Sequence, residues 1–170
     1  ITDAEIKEAA DYFASLKPMK WTRVVETDMA PKTYIAQGNK RLLHPQGGTE
    51  PIGQRIITVP EDEEIVLYRD PRKGFVSYVP KGSLAKGAEL VSGANGKTVN
   101  CTICHGPDLK GIGDVPPIAG RTATYTVRQM FMMKSGERAG PGSALMKQVV
   151  ANLTLDDMLN IAAYTASLDP

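Results

Sequence analysis

Two cysteines and a histidine form the most reactive group of side chains in this sequence. Cys101 and Cys104 stand three positions apart, and His105 follows the second cysteine directly. This Cys-x-x-Cys-His spacing is the attachment pattern for c-type haem. Each thiol can add to one vinyl group of a porphyrin, and the two intervening residues let both sulfurs reach one porphyrin edge. The pattern therefore predicts one covalently attached haem c, with the imidazole of His105 as the proximal iron ligand.

Two other chemistries use paired cysteines, and the surrounding sequence favours neither. A structural zinc site needs four ligands, but the only other histidine, His44, lies far upstream with no cysteine near it. A dithiol redox motif prefers a strand that leads into a helix, whereas the flanks here are rich in glycine. Covalent haem attachment in bacteria takes place outside the cytoplasm. We therefore expect an exported, periplasmic haem protein.

Composition limits the class of function. The chain has 170 residues, of which 42% are hydrophobic, and this suits one compact domain with an accessory segment. The 20 basic and 19 acidic residues give a net charge of +1, so we expect no nucleic-acid or membrane-surface partner. No apolar run approaches the roughly 20 residues of a membrane span. Because the first residue is isoleucine, we expect a processed or truncated product that lacks its export signal.

Hydrophobic spacing predicts a mainly helical domain over residues 81–170. Helices are expected over 81–91, over 123–135 and from Thr154 towards the C terminus. The second and third of these helices should each bury one apolar face, formed by Val127, Met130, Phe131, Leu159, Ala162, Ala163 and Tyr164. The predicted helices surround the haem motif.

Residues 81–170 resemble a class I cytochrome c domain, in particular the C-terminal haem domain of a bacterial dihaem cytochrome c. The haem motif carries most of this resemblance, and weaker segments follow it in the order that the family shows. These segments are Pro117-x-Ala119-Gly120, Gly136-x-Arg138, Met146 and Ala162-Ala163-Tyr164-x-x-Ser167-Leu168. The resemblance implies the helical class I cytochrome c fold around one haem, and an electron carrier instead of an enzyme.

Seven methionines could supply the second axial ligand of the iron. Met130, Met132 and Met133 crowd one predicted helix, where packing in the core is the ordinary role of methionine. Met146 follows a flexible Gly/Pro-rich stretch, and the resemblance places the family's distal ligand there. Met146 is therefore the favoured sixth ligand, with His44 as an alternative. Ligation by histidine and methionine leaves no open position on the iron and raises its reduction potential.

The resemblance also suggests residues that hold the ligand and the haem. The outer imidazole N–H of His105 needs an acceptor, and the family's pattern suggests the backbone carbonyl of Pro117. Arg121, Tyr125 and Arg138 are candidate donors to the haem propionates, because partly buried carboxylates favour charge-assisted hydrogen bonds. The alternatives are solvated arginines and a tyrosine in the core.

Basic residues concentrate around the motif. Residues 97–147 carry 7 basic and 3 acidic side chains, a net charge of +4. This excess predicts a mildly basic haem rim that would attract an acidic redox partner. Donor and acceptor cytochromes, a dehydrogenase or an oxidase are the expected partners. Ordinary solvated surface charge is the alternative explanation.

The first eighteen residues are similar to the last eighteen. An ungapped alignment of 1–18 with 153–170 gives seven identities, and both copies read as a capped amphipathic helix that ends at a proline. We interpret 1–18 as the last helix of a preceding cytochrome domain, so an upstream haem domain is expected. A chance match between two alanine-rich helices, or a helical extension, would also explain the similarity.

Residues 19–80 have a different pattern. Short β-type runs are predicted at 21–26, 32–43, 54–59, 64–68 and 74–79, separated by turn signals rich in proline and glycine. We expect a β-rich linker that packs on the haem domain without forming a core of its own. A metal or catalytic site is not expected in it.

The sequence therefore predicts a periplasmic electron carrier. A haem c electron-accepting subunit of a dehydrogenase or oxidase would look the same at the haem. A haem-iron enzyme or gas sensor is a further alternative, and it would require Met146 to be absent from the iron or easily displaced.

Overall fold

The computed structural model describes residues 1–64, 68, 70 and 72–170. One long helix lies at the N terminus, short strands follow it, and five α-helices lie after residue 80. The helices are α1 Asp3–Ser15, α2 Ser83–Val91, α3 Thr102–His105, α4 Ala123–Ser135, α5 Ala144–Val149 and α6 Leu155–Ser167. The predicted helical architecture is confirmed, and α4 has the predicted bounds.

The strands form small sheets. They are β1 Thr22–Thr27, β2 Met29–Pro31, β3 Thr33–Ala36, β4 Lys40–Leu43, β5 Thr49–Pro51, β6 Ile57–Pro60 and β7 Phe75–Pro80. Strand β7 pairs in parallel with β1 and antiparallel with β6. Two antiparallel pairs, β2 with β5 and β3 with β4, complete the β-rich segment.

Several strand predictions need correction. The run predicted over 32–43 is a hairpin, because a turn at Gln37–Asn39 with Gly38 at φ 74° divides it into β3 and β4. The predicted run over 54–59 begins later, at Ile57, and the pair of β2 with β5 was not predicted. The run predicted over 64–68 lies largely outside the described residues.

Helices α2 and α6 cross in very close contact. A Cβ atom added at Gly87 of α2 would lie 2.1 Å from the backbone oxygen of Asn160 and 2.6 Å from the Cβ of Tyr164. Only a residue without a side chain allows this approach, since such distances are far below van der Waals contact. The crossing brings the element before the haem motif against the last helix of the chain.

The main core lies between the helices. Its buried members include Leu90, Met130, Leu153, Met158 and Ile161. Among the residues predicted to be buried, Val127 and Tyr164 are only partly buried and pack against this core. Phe131 is 45% exposed, so its prediction as a core residue was wrong.

The β-rich segment has a small core of its own, contrary to the prediction. Ala30, Ile52, Ile57 and Val59 are buried together, and Tyr78 packs against them. Val24 and Ile56 pack instead against the core of the helical region. The segment therefore has both an internal cluster and a contact with the helices.

Two helices of similar sequence begin with the same kind of capping box. Thr2 and Glu5 form a capping box at the start of α1, as Thr154 and Asp157 do at the start of α6. Unlike α6, which is largely buried, α1 has no buried residue. Phe13 is 68% exposed and Tyr12 61%.

No helix among the described residues is long and apolar enough to cross a membrane.

Asp157 is held at the start of α6 from two sides. Its carboxylate accepts hydrogen bonds from the Thr154 amide at 2.9 Å and from Lys97 Nζ at 2.9 and 3.0 Å. Burial alone would raise the pKa of Asp157, but the bonds from Thr154 and Lys97 outweigh it and hold the pKa below its ordinary value. The ionised carboxylate therefore stabilises the fold.

Replacing Asp157 with asparagine removes this charge. We expect the free energy of unfolding at neutral pH to fall by about 1 kcal/mol, the usual size for a helix cap or an ion pair. Because the folded-state pKa is depressed, the contribution is present above the unfolded-state pKa of about 4 and is lost as the pH falls through the folded-state pKa. Chemical denaturation at neutral pH and at about pH 3 measures both effects.

Asp156→Asn is the matched control. Asp156 lies in the same helical turn, where it accepts a hydrogen bond from Asn160 at 3.4 Å. Its loss should cost a few tenths of a kcal/mol through the helix dipole. Equal losses for the two variants would contradict a special role for Asp157.

Candidate functional site

The haem motif lies on one turn of helix directly after a closed loop. The Cys101 amide donates to the Val91 carbonyl at 2.9 Å, which joins the end of α2 to the start of α3. The His105 amide then donates to the Cys101 carbonyl at 2.9 Å. Residues three apart on a helix lie on the same face. The two thiols therefore face one side, with the Cys101 side chain partly buried and that of Cys104 exposed.

His105 is oriented by a backbone carbonyl. Its side chain is 7% exposed, and Nδ1 lies 2.8 Å from the carbonyl oxygen of Pro116. Because a carbonyl can only accept, Nδ1 carries the proton and Nε2 keeps a free lone pair for a metal. The prediction that Pro117 supplies this carbonyl was wrong. The Pro117 oxygen accepts instead from Arg121 Nε at 3.4 Å.

A tight loop brings Pro116 to the imidazole. The Gly111 amide donates to the His105 carbonyl at 2.8 Å, and Gly111 has φ 89°. A Cβ at position 111 would lie 2.6 Å from the Val115 carbonyl oxygen. The Ile118 amide also donates to the Leu109 carbonyl at 2.8 Å. These contacts fold residues 106–118 back over His105.

Met146 lies near the imidazole. It belongs to α5, is partly buried, packs against the helical core and is in contact with His105. Met130, Met133 and Met158 are buried in the core, at 6%, 9% and 1% exposure, which is the packing role expected for helical methionines. A thioether is the second donor that a histidine and methionine ligand set requires.

The three residues predicted to hold the propionates have separate neighbours at the surface. Arg121 is exposed and donates to Pro117, and Arg138 Nη1 donates to Gln129 Oε1 at 2.6 Å. Tyr125 is 47% exposed, and the guanidinium of Arg128 lies 5.7 Å from its ring centre. Arg128 was not predicted, although its spacing of three residues from Tyr125 on a helix could have indicated this contact. The propionate contacts stay predictions.

The environment of the Cys101 thiol does not favour disulfide exchange. They are unbridged, and burial raises the pKa of the Cys101 thiol above its ordinary value, with the charge of Cys104 adding to the effect. Exchange requires a thiolate, so redox-active cysteines have lowered pKa values. The raised pKa of Cys101 therefore disfavours the dithiol alternative.

Other metal-binding arrangements gain no support either. Over residues 1–64 and 72–170 no group of three histidine, cysteine or acidic side chains is placed to hold a metal ion. His44 Nδ1 accepts instead from the Gln46 amide at 3.3 Å, and its ring lies 6.4 Å from that of Tyr34. His44 is thus a locally hydrogen-bonded residue of the β-rich segment.

The residues present fit a c-type haem. Two free thiols lie on one turn of helix, and the adjacent imidazole has Nδ1 hydrogen-bonded and Nε2 available. This donor set has the chemistry of covalent haem attachment and axial ligation.

Comparison with known proteins identifies the family. Residues 84–169 match the family described as Cytochrome c. The chain belongs to the cytochrome c family. This cytochrome is 37% identical to cytochrome c-552 of Acidithiobacillus ferridurans over 68 residues. These residues make up 40% of this chain and 28% of that protein.

Two further relatives match more of the chain. Cytochrome c4 of Stutzerimonas stutzeri is 28% identical over 160 residues, which cover 90% of this chain and 71% of that protein. The thiosulfate dehydrogenase electron acceptor of the same species is 29% identical over 130 residues, which cover 71% of this chain and 60% of that protein. This cytochrome therefore spans only part of the length of these relatives.

Replacing both cysteines tests the covalent attachment. We expect heated acidified acetone to leave the pigment on the wild-type cytochrome and to strip it from the Cys101→Ser/Cys104→Ser variant, because only thioethers survive this extraction. Absorption of the protein pellet measures the outcome. Pigment lost equally from both proteins would contradict attachment through sulfur.

Proposed function

We propose that this cytochrome is a periplasmic electron carrier with one haem c, bound through Cys101 and Cys104 and ligated by His105 and Met146. The observation that supports the proposal is the contact between the residues Met146 and His105, together with the orientation of the His105 imidazole by Pro116. The haem supplies reversible one-electron chemistry when it is bound. With His105 and Met146 as its two axial ligands, a bound haem would offer no site for oxygen or substrate.

The protein contributes orientation and a nearly dry environment. The Pro116 carbonyl holds the His105 proton at Nδ1, which fixes the ring and increases its basicity as a ligand. His105 is buried, so little water has to rearrange around it when the charge changes. A fixed ligand geometry keeps the structural change on electron transfer small.

Replacing Met146 with leucine removes the thioether and keeps a similar volume. We expect the reduction potential to fall by on the order of 0.1 V, a fraction of the roughly 0.8 V range that axial ligands span. The methionine-to-iron charge-transfer absorption should disappear, and the reduced protein should bind carbon monoxide. Redox titration and optical spectra measure these effects.

Met130→Leu is the control for that experiment, because Met130 is a buried core methionine. It should leave the spectrum and the potential unchanged. If the spectrum of Met146→Leu were also unchanged, the sixth ligand would be a different residue.

Three exposed apolar side chains lie close in sequence to the site residues, and we infer that they contact a partner. Ile103 on α3 is 72% exposed, Ile112 in the following loop 55%, and Leu145, next to Met146, 76%. Basic residues are in excess over 97–147, and of these Lys110 and Lys147 are exposed. An apolar patch with a basic rim suits a transient complex with an acidic redox protein.

Salt should weaken this encounter. We expect the second-order rate of electron transfer with an acidic partner to fall as ionic strength rises, because the Debye length shortens from about 10 Å at 0.1 M to about 3 Å at 1 M. Lys147→Gln should lower the rate at low salt. Lys86→Gln, an exposed lysine on α2, is the control and should have little effect. If the rate of electron transfer did not depend on salt, attraction of an acidic partner by the basic residues would be contradicted.

A second candidate function follows from one relative. The similarity to a thiosulfate dehydrogenase electron acceptor favours a role as the electron-accepting partner of a periplasmic dehydrogenase. The test mixes the oxidised cytochrome with a thiosulfate dehydrogenase and thiosulfate and follows haem reduction by stopped flow. Reduction no faster than with an unrelated cytochrome would exclude this partner.

Helix α1 supports a further proposal about organisation. Its sequence is similar to that of α6, yet Ile6 and Phe13 are exposed where the corresponding residues of α6, Met158 and Thr165, are buried. We propose that α1 is the last helix of a preceding haem domain. A second Cys-x-x-Cys-His motif in the upstream coding sequence would support this, and an upstream sequence without one would contradict it.

A further inference from the structure

Thr98 links the haem motif to the helix that carries Met146. It lies in the loop 92–100 between α2 and α3, three residues before Cys101. Its hydroxyl donates a hydrogen bond of 3.0 Å to the carbonyl oxygen of Val149. Val149 is the last residue of α5, where a helix leaves carbonyl groups without intrahelical partners. A single side chain therefore joins the two parts of the candidate site.

The loop that holds Thr98 is rigid. Its base is closed by the bond from the Cys101 amide to the Val91 carbonyl, and the Gly96 amide donates to the Gly93 carbonyl at 3.1 Å. Gly93 has φ 74°, and a Cβ there would lie 2.9 Å from the Asn100 nitrogen. The Thr98 hydroxyl thus has a fixed place relative to the cysteines.

Lys97, the residue before Thr98, contacts the other end of the connection between α5 and α6. Lys97 contacts Asp157 at the start of α6, while Thr98 contacts Val149 at the end of α5. Two consecutive side chains of the loop therefore anchor both ends of the connection between α5 and α6. Lys134 of α4 also donates to this connection, at the Leu153 carbonyl, but the bond from Thr98 acts on α5 itself.

Helix α5 needs such an anchor. It has six residues, and isolated helices of that length do not form in water, so its position depends on tertiary contacts. At its other end Ser143 is bonded within its own loop, to the carbonyls of Arg138 and Gly140 at 3.0 and 2.7 Å. That bonding shapes the loop but does not tie it to the haem motif.

We propose that Thr98 is a positioning residue for Met146. Its hydrogen bond to Val149 holds α5, and with haem bound this would keep Met146 in place as a ligand that other donors displace less easily. The inference rests on the proposed function, in which Met146 is the sixth ligand.

The experiment measures how easily imidazole displaces the methionine in the oxidised, haem-loaded cytochrome. In Thr98→Val, imidazole should bind about five-fold more tightly than in the wild type, the equivalent of one hydrogen bond. The charge-transfer absorption of the methionine should disappear at a correspondingly lower imidazole concentration. Thr98→Ser keeps the hydroxyl and should restore the wild-type affinity. Thr98→Ala, which adds no apolar volume, should behave like the valine variant.

Thr126→Val is the matched control. The Thr126 hydroxyl donates to the Thr122 carbonyl at 3.3 Å at the start of α4, so this hydrogen bond does not join α4 to α5 or to the haem motif. Its loss should leave the imidazole affinity unchanged. An effect of the same size in this variant would assign the Thr98 result to general loosening of the fold.

The outcomes separate the two proposals. Wild-type imidazole affinity in Thr98→Val and Thr98→Ala, together with much tighter binding in Met146→Leu, would overturn the role of Thr98 and leave the ligand assignment intact. Wild-type affinity in Met146→Leu would overturn the ligand assignment and the positioning role with it.

Discussion

The close crossing of α2 and α6 at Gly87 is the constraint on which the helical region depends. The backbone of α6 passes so near that a single carbon atom on Gly87 would overlap the Asn160 oxygen. This contact fixes the direction in which the chain leaves α2, and the loop 92–100 leaves from that point. The haem motif follows this loop directly. Within the loop, Lys97 and Thr98 form hydrogen bonds to the two ends of the connection between α5 and α6.

The site therefore combines elements that lie far apart in the sequence, and hydrogen bonds hold these elements in place. The imidazole of His105 is fixed by the fold of the following loop, through Pro116, and Met146 by a short helix that depends on its neighbours. Electron transfer benefits from such restraint, because each ångström of ligand movement would add to the reorganisation that accompanies a change in iron charge. The β-rich segment adds contacts to the back of the core through Val24 and Ile56.

Sequence reasoning succeeded where the determining interactions are local. The haem motif lies within five residues, and the cap of α6 within four, so spacing alone identified both. It failed where distant segments decide the outcome. The acceptor for His105 is Pro116 and not Pro117, because contacts from Gly111 and Leu109 set the turn. Periodicity placed Phe131 on an apolar face, but only the packing of other helices decides which part of that face is covered.

Gly111 supplies no ligand atom, yet its backbone helps to place the carbonyl that orients His105. Any side chain there would push on the Val115 carbonyl, and Pro116 is the next residue along the chain. Its movement would change the basicity of the imidazole. A side chain at position 111 would therefore affect two things. It would strain the backbone at Val115, and it would alter the hydrogen bond that sets the basicity of His105. A substitution at position 111 would therefore disturb the orientation of His105, although residue 111 supplies no ligand atom.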